Sequence, residues 1–277
     1  MTARIDAHVH LWNRATDPQD WIDPATMSAI DRDFGTDDLR AMVGATGMDR
    51  AVLVQASNSL DESIRLSRSD PTVIAGLVAW VDLTGDVRAQ LAELRAGPVP
   101  VVGVRHLVHI DDDPEWLLRA DVAAGLDVLG SEGLTFDLVV RDWQLDQAAR
   151  VAARHDGVAF VLDHLGGPLA EDADATRWQA GLRALAANPN VTAKVSGLTS
   201  GLAPGRWTAD DVRPLFETAV DAFGPARLLY GSDWPLAELG GGAPAWRTAF
   251  DELVGELSAN ERDALLGGNA VRFYSLG

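Results

Sequence analysis

The stretch RIDAHVHLWNRATDPQDW, residues 4–21, decides how the chain folds. In its first nine residues Ile5, Ala7, Val9 and Leu11 alternate with Asp6, His8 and His10, the period-two pattern of a β-strand. Side chains two apart in a strand share a face, so alternation puts Asp6, His8 and His10 on one face and the apolar set on the other. The residues after this strand separate two architectures. A doubly wound open sheet wants a glycine-rich phosphate loop at this point, and HLWNRATDPQDW contains no glycine. A closed barrel has no such requirement. In a barrel the apolar face packs on the outer helices and the histidine face looks inward. The two imidazoles then lie about 7 Å apart along the strand, close enough to share one ligand.

Working outward, seven further segments read as strands: 51–56, 73–83, 101–108, 134–140, 158–166, 191–198 and 227–235. Between them runs helical periodicity, clearest at 84–96, 143–155, 177–187 and 209–223, with Thr84 and Thr208 as candidate caps. Eight strands alternating with helices predict a single (β/α)8 TIM-like barrel domain over 1–277, distorted, with an extra C-terminal helix. SANE (258–261) reads as a capping box that divides the last helical stretch in two.

Composition narrows the function classes. The chain has 277 residues, 47% of them apolar, enough for one large core. With no cysteine there are no disulfides, thiolate metal sites or cysteine nucleophiles. A formal net charge of −18 argues against nucleic acid and anionic membranes as partners. The sequence shows neither a signal-peptide apolar region nor a membrane-spanning run, which predicts a cytoplasmic protein. The oligomeric state is left open.

Barrel enzymes build their sites at the C-terminal ends of the strands. Those ends carry His8 and His10, Gln55, Asp82, Arg105 and His106, Asp137, His164, Lys194 and Ser196, and Asp233. Strand six ends in LDHLGG (162–167), where alternation assigns His164 to the site and Asp163 to a helix-side or loop contact. Strand eight ends in YGSDWP (230–235), where Asp233 can accept a proton from water or ligate a metal. Once the barrel closes, strand eight lies beside strand one. Arg105, Lys194 and Gln55 are candidate donors to substrate hydroxyls or a carboxylate. Of nine tryptophans, Trp12, Trp80, Trp143 and Trp234 fall at or near strand ends, where stacking on a sugar ring and core filling are equally open. Trp116, Trp178 and Trp246 fall in helical stretches and read as packing.

DAHVHLW, GVRH, DHLGGP, KVSGL and YGSDWP, in this order and spread over almost the whole chain, resemble the amidohydrolase superfamily. More narrowly they resemble its amidohydrolase-2, sugar-lactonase-like branch of fuconolactonases, rhamnonolactonases and 2-pyrone-4,6-dicarboxylate lactonases. The resemblance implies a distorted (β/α)8 barrel that hydrolyses a small lactone. It matches His8, His10, His164 and Asp233 to the superfamily's strand-one pair, strand-six histidine and strand-eight aspartate. Strand five (FDLVV) lacks the histidine of the binuclear members, and Arg105 stands where those place a bridging lysine or glutamate, so a two-metal centre is not expected. The implied chemistry uses Asp233 as general base while His8, His10 and His164 polarise the carbonyl. This works with or without one divalent ion, zinc best suited, held by the same four residues. The rivals are a metal-dependent decarboxylase of the same superfamily and a non-catalytic sugar-acid binding protein.

Overall fold

The computed structural model describes residues 3–277. Eight parallel strands follow one another around a single sheet in chain order: β1 (Ile5–Val9), β2 (Arg50–Val54), β3 (Ile74–Ala79), β4 (Val101–His106), β5 (Thr135–Leu138), β6 (Ala159–Leu162), β7 (Val191–Val195) and β8 (Leu228–Tyr230). The sheet closes where a bridge joins Val9 to Trp234. There His10 N donates to Trp234 O at 2.7 Å and Asp233 N to His8 O at 2.9 Å. Helices α1 (Thr36–Thr46), α2 (Leu60–Ser67), α3 (Val87–Leu94), α4 (Ala120–Ser131), α5 (Leu145–Arg154), α6 (Ala175–Ala186), α7 (Ala209–Phe223) and α8 (Ala243–Leu253) alternate with the strands. This is the (β/α)8 barrel that the segment order predicts.

All eight expected strands form, and each stops short of its expected C-terminal end; β8, for example, ends at Tyr230 rather than at 235. Past those points the backbone leaves the hydrogen-bond ladder. His164, Leu165 and Asp233 take left-handed φ values of 53°, 52° and 60°. Non-glycine residues rarely adopt that region, and such strain gathers at functional sites.

Strict alternation also fails inside β1. The register slips between Asp6 and Val9, so that two residues oppose one on β2. Ile5 and Ala7 therefore join the inner cluster with Val52, Val54, Val161 and Leu229. Asp6 turns away and accepts from Ser232 N at 2.9 Å and His8 N at 3.1 Å. His8 and His10 still face the barrel interior, but Asp6 does not share their face as alternation predicts.

Two apolar layers hold the barrel. The outer one packs Leu53, Phe136, Phe160 and Tyr230 against Trp178, Trp246 and Phe250 of the helices. The inner one is closed by Ala270 and Tyr274 from the last helical stretch. That stretch opens at the expected Ser258–Glu261 capping box. It then runs as α9 (Ala259–Asp263), a π-type segment at Ala264–Gly268 and α10 (Asn269–Phe273), rather than as one uninterrupted helix. A Cβ on Gly267 would lie 2.0 Å from Ala3 O, so the segment lies against the N-terminal end of β1. Thr208 takes the N-cap position of α7 as expected, its backbone N donating to Asp211 Oδ2 at 2.7 Å. Thr84 does not cap α3: Asp86 does, accepting from Ala89 N, while Thr84 Oγ1 donates to Asp82 Oδ1 at 2.7 Å. Among the described residues no helix is long and apolar enough to cross a membrane.

Candidate active site

At the C-terminal end of the strands lies a cavity of about 500 Å3. Beneath it the barrel axis is filled by charge. Lys194 from β7 is fully buried, 2.6 Å from Asp137 Oδ2 and 2.9 Å from Asp163 Oδ1. Arg105 from β4 donates to Asp163 Oδ2 at 2.8 Å, to Gln55 O, and to Gln55 Oε1 at 3.2 Å. Tyr274 reaches up from the far end and donates to Asp137 Oδ2 at 2.6 Å. Two cations thus face two carboxylates in a region without water-like dielectric, the arrangement that makes buried ions tolerable. Burial alone would raise the Asp163 pKa, but the Lys194 ammonium, His8 and Arg105 outweigh it and hold the carboxyl well below the usual range.

The three histidines and Asp233 stand on this base. His10 Nδ1 donates to Val54 O at 2.8 Å, which leaves the lone pair on Nε2. His8 Nε2 lies 3.1 Å from His10 Nε2. The other nitrogen of His8 is 3.1 Å from Lys194 Nζ and 3.3 Å from Asp163 Oδ1. The ring therefore has two consistent tautomers. If Lys194 donates to Nδ1, the proton sits on Nε2 and bonds His10. If Nδ1–H faces Asp163, the Nε2 lone pair points toward His10 and Asp233, with Arg105 Nη1 3.4 Å away. Burial lowers the pKa of both rings, that of His8 strongly, so both are neutral.

Asp233 Oδ1 is 3.7 Å from His8 Nε2 and 3.5 Å from His10 Nε2. It is buried and has no hydrogen-bond partner among the described residues, in either tautomer of His8. Ligand atoms around a tetrahedral zinc are about 3.3 Å apart, from bond lengths near 2.0–2.1 Å. The triangle of His8, His10 and Asp233 fits one such ion, and its buried carboxylate oxygen without a protein donor is suited to a cation. His164 lies across the same opening, its Nε2 3.9 Å from Asp233 Oδ1 and its Nδ1 2.9 Å from Ser196 Oγ. Gly197 makes room: with φ at +64°, a Cβ there would meet His164 Nδ1 at 2.6 Å and Asp233 Oδ2 at 3.1 Å.

The structure thus brings His8, His10, His164, Asp233 and Arg105 together. Lys194 and Gln55 lie beneath the cavity, where they bind protein groups rather than line it. Trp12 and Trp234 are buried around Phe34, and Trp80 donates to His106 Nδ1 at 3.1 Å; none of these lines the cavity. Trp143 is 39% exposed and also lies outside it. Trp116, Trp178 and Trp246 are buried packing, as expected.

Asp163 corrects the alternation argument. It follows Val161 on the inward face, and the left-handed turn at His164–Leu165 swings His164 over the cavity as well, so both neighbours reach it. Sequence reasoning also misses Trp21, His109 and Arg141, which line the cavity from loops after β1, β4 and β5. Loops carry no periodicity, and only their distance past a strand end hints at their place. Trp21 is tethered: its Nε1 donates to Gln19 Oε1 at 2.9 Å, and Gln19 Nε2 donates to the buried Glu62 at 3.1 Å.

Comparison with known proteins places this geometry. The sequence model of the amidohydrolase family matches residues 5–276. An L-fucono-1,5-lactonase from Burkholderia multivorans is 37% identical over 294 residues, covering 99% of this chain and 96% of that protein. An L-fucono-1,5-lactonase from Burkholderia ambifaria is 32% identical over 283 residues, covering 100% and 97%. A crystal structure of an amidohydrolase from Burkholderia multivorans with bound zinc superposes with a TM-score of 0.90 at 36% identity, covering 99% of this chain and all of that one.

Proposed function

This chain belongs to the amidohydrolase family, and on that premise we propose that it hydrolyses a small sugar-acid lactone of the fucono-1,5-lactone type. The observation that carries the reading is Asp233 Oδ1, buried without a donor and facing two neutral imidazoles at the floor of an open cavity. The curated relatives named as L-fucono-1,5-lactonases span the whole chain and support the substrate class.

The chemistry is built from these residues. Asp233 takes a proton from a water that attacks the lactone carbonyl carbon. The carbonyl oxygen gains negative charge as its double bond opens. His164 accepts the Ser196 hydroxyl at Nδ1 and so presents Nε2–H to that oxygen. As the carbonyl reforms, the bond to the ring oxygen breaks, and Asp233 returns its proton to that oxygen. The product is the open hydroxy acid. His8, His10 and Asp233 would hold one divalent ion, which when bound supplies Lewis-acid polarisation of the carbonyl. Ligation there requires the His8 tautomer with Nδ1–H toward Asp163, so Asp163 sets which nitrogen of His8 is available.

The test is proton release from a panel of aldono-1,5-lactones by the purified full chain, with metal content measured before and after chelation. Hydrolysis of a deoxy-hexonolactone is expected. If no lactone on the panel turns over, with divalent metal supplied, the reading fails.

A further inference from the structure

Two arginines line the cavity, and they differ in how they are paired. Arg105, in the cavity wall, has Asp163. Arg141, also in the wall, does not: among the described residues its guanidinium is paired with no carboxylate and donates no hydrogen bond, and its only polar tie is through the backbone. Beside it His109 lines the same cavity with a buried Nδ1 that has no partner among the described residues. Burial first, then the nearby guanidinium charges of Arg141 and Arg105, push the His109 pKa down to about 3. The ring is therefore neutral, with one nitrogen free to donate.

The pair is held in place from behind. His109 N donates to Val139 O at 3.2 Å, joining the loop after β4 to the loop after β5. The buried Gln144 clamps both: its Oε1 accepts from Arg141 N at 2.9 Å and its Nε2 donates to Val108 O at 3.1 Å. Two polar side chains on backbone anchored by a buried amide, both without side-chain partners among the described residues and both lining the same opening, form a recognition element. A planar guanidinium with free N–H groups matches a carboxylate in two-point contact.

We propose that Arg141 and His109 form a carboxylate subsite in the cavity wall, Arg141 gripping the carboxylate and His109 donating to it. The identity of the ligand rests on the lactonase reading; the subsite itself rests on the unpaired groups. The carboxylate has two sources: ring opening, or a lactone that bears one at its far end.

The test measures binding without turnover. Affinities of galactonate and of galactonamide, equal in size and differing in charge, are compared by calorimetry on the full chain. The wild type is expected to bind the acid at least about tenfold tighter than the amide, the scale of one charge-assisted pair. Arg141→Met should bring that ratio to near one, Arg141→Lys should keep part of it, and His109→Asn should lower it less. Galactaro-1,4-lactone and galactono-1,5-lactone then separate the sources. A carboxylate-bearing lactone as occupant gives a kcat/KM preference for the former that Arg141→Met removes. The formed carboxylate as occupant gives inhibition by galactonate that Arg141→Met weakens about tenfold. An acid-to-amide ratio near one in the wild type, or one unchanged in folded Arg141→Met, overturns the proposal. A protein that hydrolyses no lactone but shows the ratio would refute the lactonase reading and keep the subsite.

Discussion

Two charged regions sit one above the other in this barrel and are finished differently. In the lower one Lys194, Asp137, Asp163 and Arg105 each face an opposite charge, and Tyr274 adds a hydroxyl from below. In the upper one, among the described residues, Asp233 Oδ1 and His109 Nδ1 have no hydrogen-bond partner and Arg141 has no carboxylate. Exposure alone does not distinguish them, because Asp233 is as buried as Arg105, although His109 and Arg141 are only half-buried. Counter-charge does: each lower charge faces an opposite one, although Asp163 Oδ1 and Arg105 Nε make no hydrogen bond, whereas among the described residues Asp233 faces only neutral imidazoles and Arg141 no carboxylate. A charged group in a barrel is therefore informative about function when it lacks a counter-charge, not merely when it is buried.

The contrast can be broken most forcefully from below. Lys194→Met leaves Asp137 and Asp163 unbalanced at the barrel axis and is expected to cost about 3–5 kcal/mol of unfolding free energy, read by denaturant titration. A loss below about 1 kcal/mol would mean that the lower cluster is not a closed ionic unit. Removing charge from above should do the reverse. Asp233→Asn is expected to lower lactone turnover at least about 100-fold, the scale of general-base loss. Its melting temperature should stay at or slightly above wild type, because asparagine tolerates the left-handed backbone at φ 60°.

Asp6, on the opposite face of β1 from the histidines, sharpens the comparison through pH. Burial raises its pKa from 3.8 to about 6, so the folded state holds its proton more tightly than the unfolded chain. Its contribution is full below pH 3.8 and is lost as pH rises through about 6. Asp6→Asn can still accept from Ser232 and His8 through its amide oxygen. The variant should be more stable than wild type at pH 7 by on the order of 2 kcal/mol, with the difference vanishing near pH 4. Parallel urea midpoints for the two proteins across that range would contradict this. The smallest effect lies at the rim. Trp21→Ala should raise KM about three- to tenfold with little change in kcat, the worth of one stacked aromatic face. A fall in kcat alone would move Trp21 out of substrate binding.

The barrel is legible in the sequence because strand alternation and the missing phosphate loop are local signals, and eight strands repeat the pattern. The histidine pair is legible for a subtler reason. Alternation places His8 and His10 correctly although the bulge after Asp6 violates it, since both lie on the far side of the slip from Asp6. Where the backbone turns left-handed the same rule fails, and alternation assigns Asp163 outward although it points to the axis. Lys194 and Gln55 read as substrate donors because a sequence cannot tell the layer beneath a cavity from its wall. His109, Arg141 and Trp21 lie in loops whose path depends on contacts such as the Gln144 clamp, which joins segments that no short-range pattern relates.

The bridge between Val9 and Trp234 has a kinetic side. Asp233 and His8 are joined across the seam that closes the barrel, between residues separated by most of the chain, so loop-closure entropy opposes the contact. Any folding species with an open seam has the two halves of the triangle apart and cannot bind what the closed barrel binds. A ligand held between His8, His10 and Asp233 then acts as a latch across that seam. It should slow amide hydrogen exchange at His10 and Asp233 more than anywhere else in the barrel, because it opposes the one fluctuation that would release it.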